Sequence, residues 1–276
     1  MALALLNPGA TVNEYELHVF ELAYVMSLMG VESVSGLPSA IIFPPDPKVR
    51  KKVLEEGQKR LIANGWLTPV GSQGKYDERL LSMAAAVADP RFSILTRRET
   101  SQGERFDATI YFNKVEAVEV IQTDKQEFRL RRLTDAPEAF QQVRKMVGIT
   151  PQPRFCGTTV ELRIESFDKV RRHAAKKEAA EAASELAEAG MAPDAADDLI
   201  KALTYPERKG IVTVLKHTVQ KVTDVRVMGF YLNESGAWIT SVASEAAQQV
   251  RIESVDSAGF IERLVDRVAN VCAASA

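Results

Sequence analysis

The feature that most constrains the fold of this chain is an internal repeat. When Tyr111 is aligned with Tyr231, the segment 92–113 lies over 212–233 without a gap. Few residues are identical, but the apolar positions coincide. Each copy has the pattern of a strand, a polar turn and a second strand rich in β-branched and aromatic residues. The repeat therefore predicts two equivalent β-hairpins.

The similarity between the two copies extends over most of the chain. Alternating apolar and polar residues predict a third and a fourth strand after each hairpin, and helical spacing predicts a helix after each fourth strand. Before the hairpins, 77–90 and 194–207 each begin with an acidic helix start and end near a proline. Still earlier, 15–19 and 160–164 have the pattern of short strands. Each half thus has the order strand, helices, four-strand meander, helix.

This order predicts an α+β fold with a central antiparallel β-sheet flanked by helices. The halves, 1–150 and 151–276, are expected to be related by a pseudo-twofold axis and packed as one globular unit, with the boundary in 148–157. A sheet with one apolar face needs helices packed on that face, and its edge strands need partners or protection. Pairing of two copies through an exposed sheet edge, giving a homodimer, stays open.

Composition excludes several classes of protein. The chain has 276 residues, is 46% hydrophobic and has a net charge of -2, so no global field attracts it to nucleic acid or an anionic membrane. No apolar run approaches the about 20 residues that a membrane-spanning helix needs, and the N-terminus does not resemble a secretory signal. Two cysteines far apart in sequence fit a reducing compartment. We expect a cytoplasmic protein.

Motifs that carry catalysis or bind metals are missing from the sequence. The three histidines, His18, His173 and His217, belong to no metal-binding spacing, and no nucleophile motif is present. The segment 71–76, GSQGKY, lacks the phosphate-binding frame and is expected to be a surface loop. These observations predict a protein that is not an enzyme and has no metal or cofactor. An active site assembled from distant segments stays an open alternative.

A winged-helix DNA-binding transcriptional regulator is the second alternative. A basic cluster between Lys48 and Arg60 lies on a helix that is followed by another helix and then by strands, which is the order of a winged helix. The composition of the helix 77–90 argues against this alternative. It would be the recognition helix, but it is acidic and rich in alanine. Such a helix offers few side chains to base edges.

Two further segments attract attention. The residues 165–190, rich in Ala, Glu and Lys, predict one long helix. The turn of the first hairpin, 97–105 (RRETSQGER), is polar, contains a glycine and is expected to project from the sheet. Loops of this kind carry binding function more readily than the strands beneath them.

The N-terminal run resembles the EspG family, the cytosolic chaperones of mycobacterial-type type VII secretion. The residues that carry the resemblance are YELHVFELAYVMSLMGVES, LPSAIIFPPDPKVRKKVLEEGQKRLIANGWL and DERLLSMAAAVADP before RFSIL. They follow the family's order of a hydrophobic strand and helix, an LPxxL-type segment, a helix ending before a glycine, an acidic helix start and a β-meander. The family fold, a central antiparallel sheet with two quasi-twofold-related halves, would cover most of the chain.

The resemblance implies a secretion chaperone that binds a helical type VII substrate, a PE-PPE-like heterodimer or an equivalent, and keeps it soluble in the cytosol. It implies a contact surface that includes the sheet, the first hairpin turn and the C-terminal helical part. No nucleic acid or membrane partner is expected. Charge reversal at Arg98 and Arg105 is expected to weaken partner binding without changing the melting temperature. The candidate partner-binding residues are Arg98, Thr100, Ser101, Gln102, Glu104, Arg105, Tyr231 and Trp238.

Overall fold

The fold is that of a computed structural model, which describes residues 13–70, 73–149, 157–218 and 221–273. The described part of the first half contains β1 (Glu14–His18), α1 (Val19–Leu28), α2 (Ser39–Ile42), α3 (Pro47–Ala63), β2 (Leu67–Val70), β3 (Gln73–Tyr76), α4 (Glu78–Ala88), β4 (Phe92–Thr100), β5 (Arg105–Phe112), β6 (Ala117–Asp124), β7 (Glu127–Leu133) and α5 (Ala136–Val147). The second half contains β8 (Thr159–Arg163), α6 (Ile164–Lys176), α7 (Ala179–Glu188), α8 (Pro193–Thr204), β9 (Arg208–Thr218), β10 (Lys221–Asn233), β11 (Gly236–Ser244), β12 (Gln249–Val255) and α9 (Ser257–Ala273).

Ten strands form one sheet in the order β1-β7-β6-β5-β4-β9-β10-β11-β12-β8. The order is symmetric about its middle. The first strand of each half, β1 or β8, lies at an edge, and the last strand of that half's meander, β7 or β12, lies next to it. Antiparallel pairing aligns Tyr15 with Leu130 at one edge and Val160 with Ile252 at the other. The predicted α+β class, the antiparallel sheet and the order of elements in each half are confirmed.

Internal packing divides the chain into two compact units. The first comprises the described residues within 1–92, 109–136 and 217–221, and the second those within 93–108, 137–216 and 222–276. The predicted boundary loop falls largely on 150–156, which lie outside the described residues. The division into halves at 150 and 151, and their packing as one globular unit, stay predictions.

Each unit has its own hydrophobic core. In the first, apolar residues of α1, α3 and α4 pack against β1 and β7, with Leu17, Leu22, Met83 and Phe128 almost fully buried. In the second, α6, α7 and α8 pack against residues of β8, β11 and β12 around the buried Trp238. None of the helices in the described ranges is long and apolar enough to cross a membrane.

The predicted single helix over 165–190 is wrong, because the chain breaks after Lys176. Lys177 adopts the left-handed conformation, with φ of 63°. The amide of Glu178 donates to the carbonyl of His173 at 2.9 Å, and the amide of Lys177 donates to that of Ala174 at 3.0 Å. This pair of bonds is the Schellman C-terminus of a helix. The break separates α6 from α7.

The expected loop at 71–76 contains a strand. β2 and β3 form a separate two-stranded ladder in which Thr68 pairs with Lys75 and Pro69 pairs with Gly74. Proline cannot donate to a ladder and is tolerated where a strand has a free side. The apolar anchor of the ladder is Leu67, which is buried in the core of the first unit.

Candidate functional site

The turn between β4 and β5 is bridged by hydrogen bonds. The amide of Thr100 donates to the carbonyl of Glu104 at 2.9 Å, and the amide of Glu104 donates to Thr100 Oγ1 at 3.2 Å. Gly103 has φ of 82°, a value that favours glycine. The amide of Ser101 donates to the carbonyl of Glu207, which precedes β9, at 2.9 Å. The predicted turn is therefore stabilised by its own backbone and by the residue that precedes β9.

The candidate residues of the turn differ in exposure. Ser101, Gln102, Glu104 and Arg105 are exposed, and Thr100 is half-buried. Their side chains project from the second unit without entering its core. The structure therefore brings together the five candidates of the turn on one accessible surface.

Arg98 has a different environment from Arg105. Its Nη1 donates to the carbonyl oxygen of Met146 at 2.7 Å, and its guanidinium lies 5.0 Å from the ring centroid of Phe106. Burial lowers the pKa of Arg98, and the neighbouring Arg208 lowers it further. Arg208 makes the equivalent bond to the carbonyl of Gly148 at 3.1 Å. The two arginines thus cap the C-terminus of α5, a structural role that sequence analysis did not anticipate.

The neighbours of Arg98 on β4 lie on the opposite face of the sheet, because side chains alternate along a strand. Arg97 Nε donates to Asp107 Oδ1 at 3.1 Å. Glu99 lies between two cations, 3.9 Å from Arg105 Nε and 3.5 Å from Lys209 Nζ. This face of β4, β5 and β9 therefore carries an alternating array of charges.

Two cavities adjoin this face within the second unit. One, of about 530 Å³, is lined by Arg97, Arg98, Glu99, Arg105, Asp107, Lys209, Gly210, Ile211 and Tyr231. The other, of about 990 Å³, lies against α6 and is lined by Glu165, Asp168, Lys169, Arg171, Arg172, Ala175, Leu203, Lys209 and Tyr231. Because they share Lys209 and Tyr231, we treat them as one surface and call it the charged groove.

Tyr231 and Trp238 are paired across β10 and β11 but lie in different environments. Tyr231 is half-buried and lines both cavities of the charged groove. Trp238 is fully buried, and its Nε1 donates to Asp198 Oδ2 at 2.8 Å. A buried indole whose N–H is already bonded cannot contact a partner at the surface. Trp238 is therefore a core residue, and we leave it out of the site.

Exposed apolar side chains lie farther along the strands that carry Tyr231 and Trp238. Alternation places Val225 and Val227 on the same face of β10 as Tyr231, and Val242 on the same face of β11 as Trp238. Ile211 of β9 lines the groove itself. The exposed fractions of Val225, Val227, Val242 and Ile211 are 49%, 43%, 46% and 39%. Clustered exposed apolar residues of this kind mark interaction surfaces.

Sequence analysis missed most of the groove. Lys169 and Arg172 lie on the exposed side of an amphipathic helix, and Lys209 and Ile211 lie on a strand with an ordinary alternating pattern. The available signal was the run of cations early in 165–190. These cations contribute to the groove only because α6 lies beside β10. The spacing of residues within either segment does not predict that packing.

The remaining candidates from the sequence are the histidines and the helix α4. In the described ranges, no group of three or more His, Cys, Asp or Glu residues could hold a metal ion. His217 lines a small cavity of about 30 Å³. The helix α4, which would be the recognition helix of a winged helix, has buried residues on much of its surface and exposes Glu78, Arg79 and Ala85.

Comparison with known proteins shows a similarity in fold. No protein-family model matches the sequence, and no curated protein matches it. A solved structure, that of the Mycobacterium tuberculosis type VII secretion system chaperone EspG5 in complex with the PE25-PPE41 dimer, is similar with a TM-score of 0.68. The match has 11% sequence identity and covers 90% of this chain and 93% of the matched chain. The fold of this chain is therefore the fold expected from the resemblance to the EspG chaperones.

Proposed function

We propose that this chain is a non-enzymatic, cytosolic chaperone of type VII secretion that binds a helical, PE-PPE-like substrate and keeps it soluble. The observation that carries the proposal is the charged groove, an open surface with an apolar floor, on a chain that shares its fold with EspG5 over 90% of its length. Covering apolar surface on a helical protein requires a surface of this kind.

The chemistry of the groove favours binding over catalysis. Arg97 is paired with Asp107, and Glu99 is shared by Arg105 and Lys209. Charged side chains around an apolar floor are typical of the polar rim of a binding surface. Exposed apolar residues beside the groove gain stabilisation only when a partner covers them.

The contact surface that we propose consists of the hairpin turn and the floor of the groove. Its residues are Thr100, Ser101, Gln102, Glu104, Arg105 and Tyr231. The bonds of the Thr100 and Ser101 amides hold the turn in place before a partner arrives. A preformed loop loses less conformational entropy on binding than a flexible one. Arg98 is left out because its guanidinium caps α5.

The test uses the whole chain with a tag, recovered from its native cell and identified with its partners by mass spectrometry. Wild type is compared with Arg105→Glu in the groove and with Lys52→Glu on the exposed side of α3, a matched charge reversal far from the hairpin turn in sequence. We expect a helical secreted protein in near-stoichiometric amount with wild type and Lys52→Glu, and much less with Arg105→Glu. The melting temperature should be the same in all three.

Two results would contradict the proposal. Recovery of DNA in place of a protein would favour the regulator alternative. Equal recovery of the helical partner with Arg105→Glu and with wild type would show that the partner binds elsewhere and would remove the hairpin turn from the site.

A further inference from the structure

The charged groove is more basic than the rest of the chain. Apart from Arg98, whose guanidinium caps α5, six Lys and Arg side chains and four carboxylates line its two cavities, which gives a local net charge of +2. The whole chain has a net charge of -2. The positive charge of the groove is therefore a local property of this surface, and it would attract a partner segment of opposite sign.

Several of these cations lack a carboxylate of their own. Glu99 is shared by Arg105 and Lys209, so one negative charge faces two positive ones. Arg172 Nε donates to the backbone carbonyl of Asp168 at 3.3 Å, and the described residues place no carboxylate within 4.0 Å of it. Arg172 and Lys209 are both exposed and line the same cavity.

Between these cations the floor of the groove is apolar. Leu203 of α8 and Tyr231 of β10 line the larger cavity, and Ile211 of β9 lines the smaller one. A phosphate backbone has no apolar side chains and would leave this apolar floor uncovered. A bound segment that complements both the cations and the apolar floor has apolar side chains flanked by carboxylates.

We propose that the charged groove selects an acidic, apolar helix end, in which Leu- or Phe-sized side chains contact Tyr231 and Leu203 while flanking Asp or Glu side chains pair with Arg172 and Lys209. The inference rests on the proposed function and adds the chemistry of the segment that is bound. Carboxylates pair with guanidinium groups through two parallel hydrogen bonds, which fixes the orientation of the segment as well as its charge.

The experiment measures binding of two synthetic amphipathic helical peptides to the purified full chain by fluorescence anisotropy. Both peptides carry leucines on one face, and the flanking residues are Glu in one and Gln in the other. We expect the Glu peptide to bind at least about tenfold more tightly than the Gln peptide, and the difference to shrink as salt is raised from about 50 to about 300 mM. A short oligouridine is measured in parallel.

The variants test whether the difference arises in the groove. Arg172→Glu combined with Lys209→Glu should abolish the preference for the Glu peptide, whereas Lys52→Glu should preserve it. Both groove residues are exposed, so circular dichroism should show an unchanged fold.

Three results would overturn the inference: equal affinity of the two peptides, no measurable binding of either, or tighter binding of the oligouridine than of the Glu peptide. The first two could occur while a helical partner is still recovered from the native cell. In that case the proposed chaperone function stands, and only the acidic character of the bound segment is wrong.

Discussion

Arg98 Nη1 donates a hydrogen bond of 2.7 Å to the carbonyl oxygen of Met146, in the last turn of α5. The last carbonyls of a helix have no partner within the helix, and one that is buried without a donor is costly. We expect Arg98→Ala to lower the free energy of unfolding by about 1–3 kcal/mol, measured by urea denaturation.

The matched control for Arg98 is Arg105, on the other strand of the same hairpin. Arg105 is exposed, and its ion pair with Glu99 is 3.9 Å long, so Arg105→Ala should change stability by no more than about 0.5 kcal/mol. Similar effects of the two substitutions would show that the bond to Met146 does not stabilise α5.

The buried bond between Trp238 and Asp198 predicts a second stability effect. Trp238→Phe keeps an aromatic ring but removes the N–H donor to Asp198 Oδ2, leaving the carboxylate, which is 5% exposed, with the longer bond from Asn233 Nδ2. We expect a loss of about 1–3 kcal/mol in the free energy of unfolding. Replacing both partners, by Trp238→Phe with Asp198→Leu, should recover part of that loss. A double variant less stable than Trp238→Phe would argue against this explanation.

The crossing of α1 and α3 depends on Gly57. A Cβ at this position would lie 2.1 Å from the carbonyl oxygen of Phe20 and 3.0 Å from Cβ of Tyr24. Gly57→Ala should therefore force the helices apart and lower the free energy of unfolding by about 1–3 kcal/mol, despite the higher helix propensity of alanine. The control is Gln58→Ala, at an exposed position of the same helix. A neutral or stabilising Gly57→Ala would show that the two helices separate at little cost.

Burial predicts a pH dependence at His217. Burial lowers the pKa of its imidazole below the ordinary value, and the carboxylate of Asp89 offsets part of the shift. The unfolded chain then binds the proton more tightly than the folded chain. The contribution of His217 to stability is present above the unfolded-state pKa of about 6.5 and is lost as the pH falls through the window below it.

Urea denaturation at a series of pH values tests this expectation. The free energy of unfolding of His217→Gln should fall less steeply than that of wild type below about pH 6.5, whereas the two curves should run parallel between about pH 7 and 8. Parallel curves over the whole range would mean that His217 does not contribute to the acid destabilisation.

Much of the fold was predictable because its signals are local. The alternation on β4 and β5 and the spacing on α4 lie within a few residues of one another, and each pattern occurs twice in the chain. The errors have the same origin. Helix propensity over 165–190 favours one continuous helix, and the left-handed turn at Lys177 depends on bonds that propensity does not describe.

The site was less predictable because its parts are distant in sequence. The exposed hairpin turn was identifiable from its polar residues and glycine. The role of Arg98 was not, because its partner is a backbone carbonyl on α5 and carries no side-chain signature. Arg172 and Lys209 have the appearance of ordinary surface residues until the fold places them beside Tyr231.

The strand order of the sheet has a consequence for synthesis from the N-terminus. β1 and β4–β7 are consecutive neighbours in the sheet, and among them β4 alone also pairs with a strand of the second half, β9. The pairings within this five-strand set can therefore form before the second half leaves the ribosome. Until β9 emerges, one side of β4 has no neighbour, and an unpaired strand edge is a site for association with other chains. The strand that ends at the hairpin turn is therefore the one most in need of protection while the chain is being made.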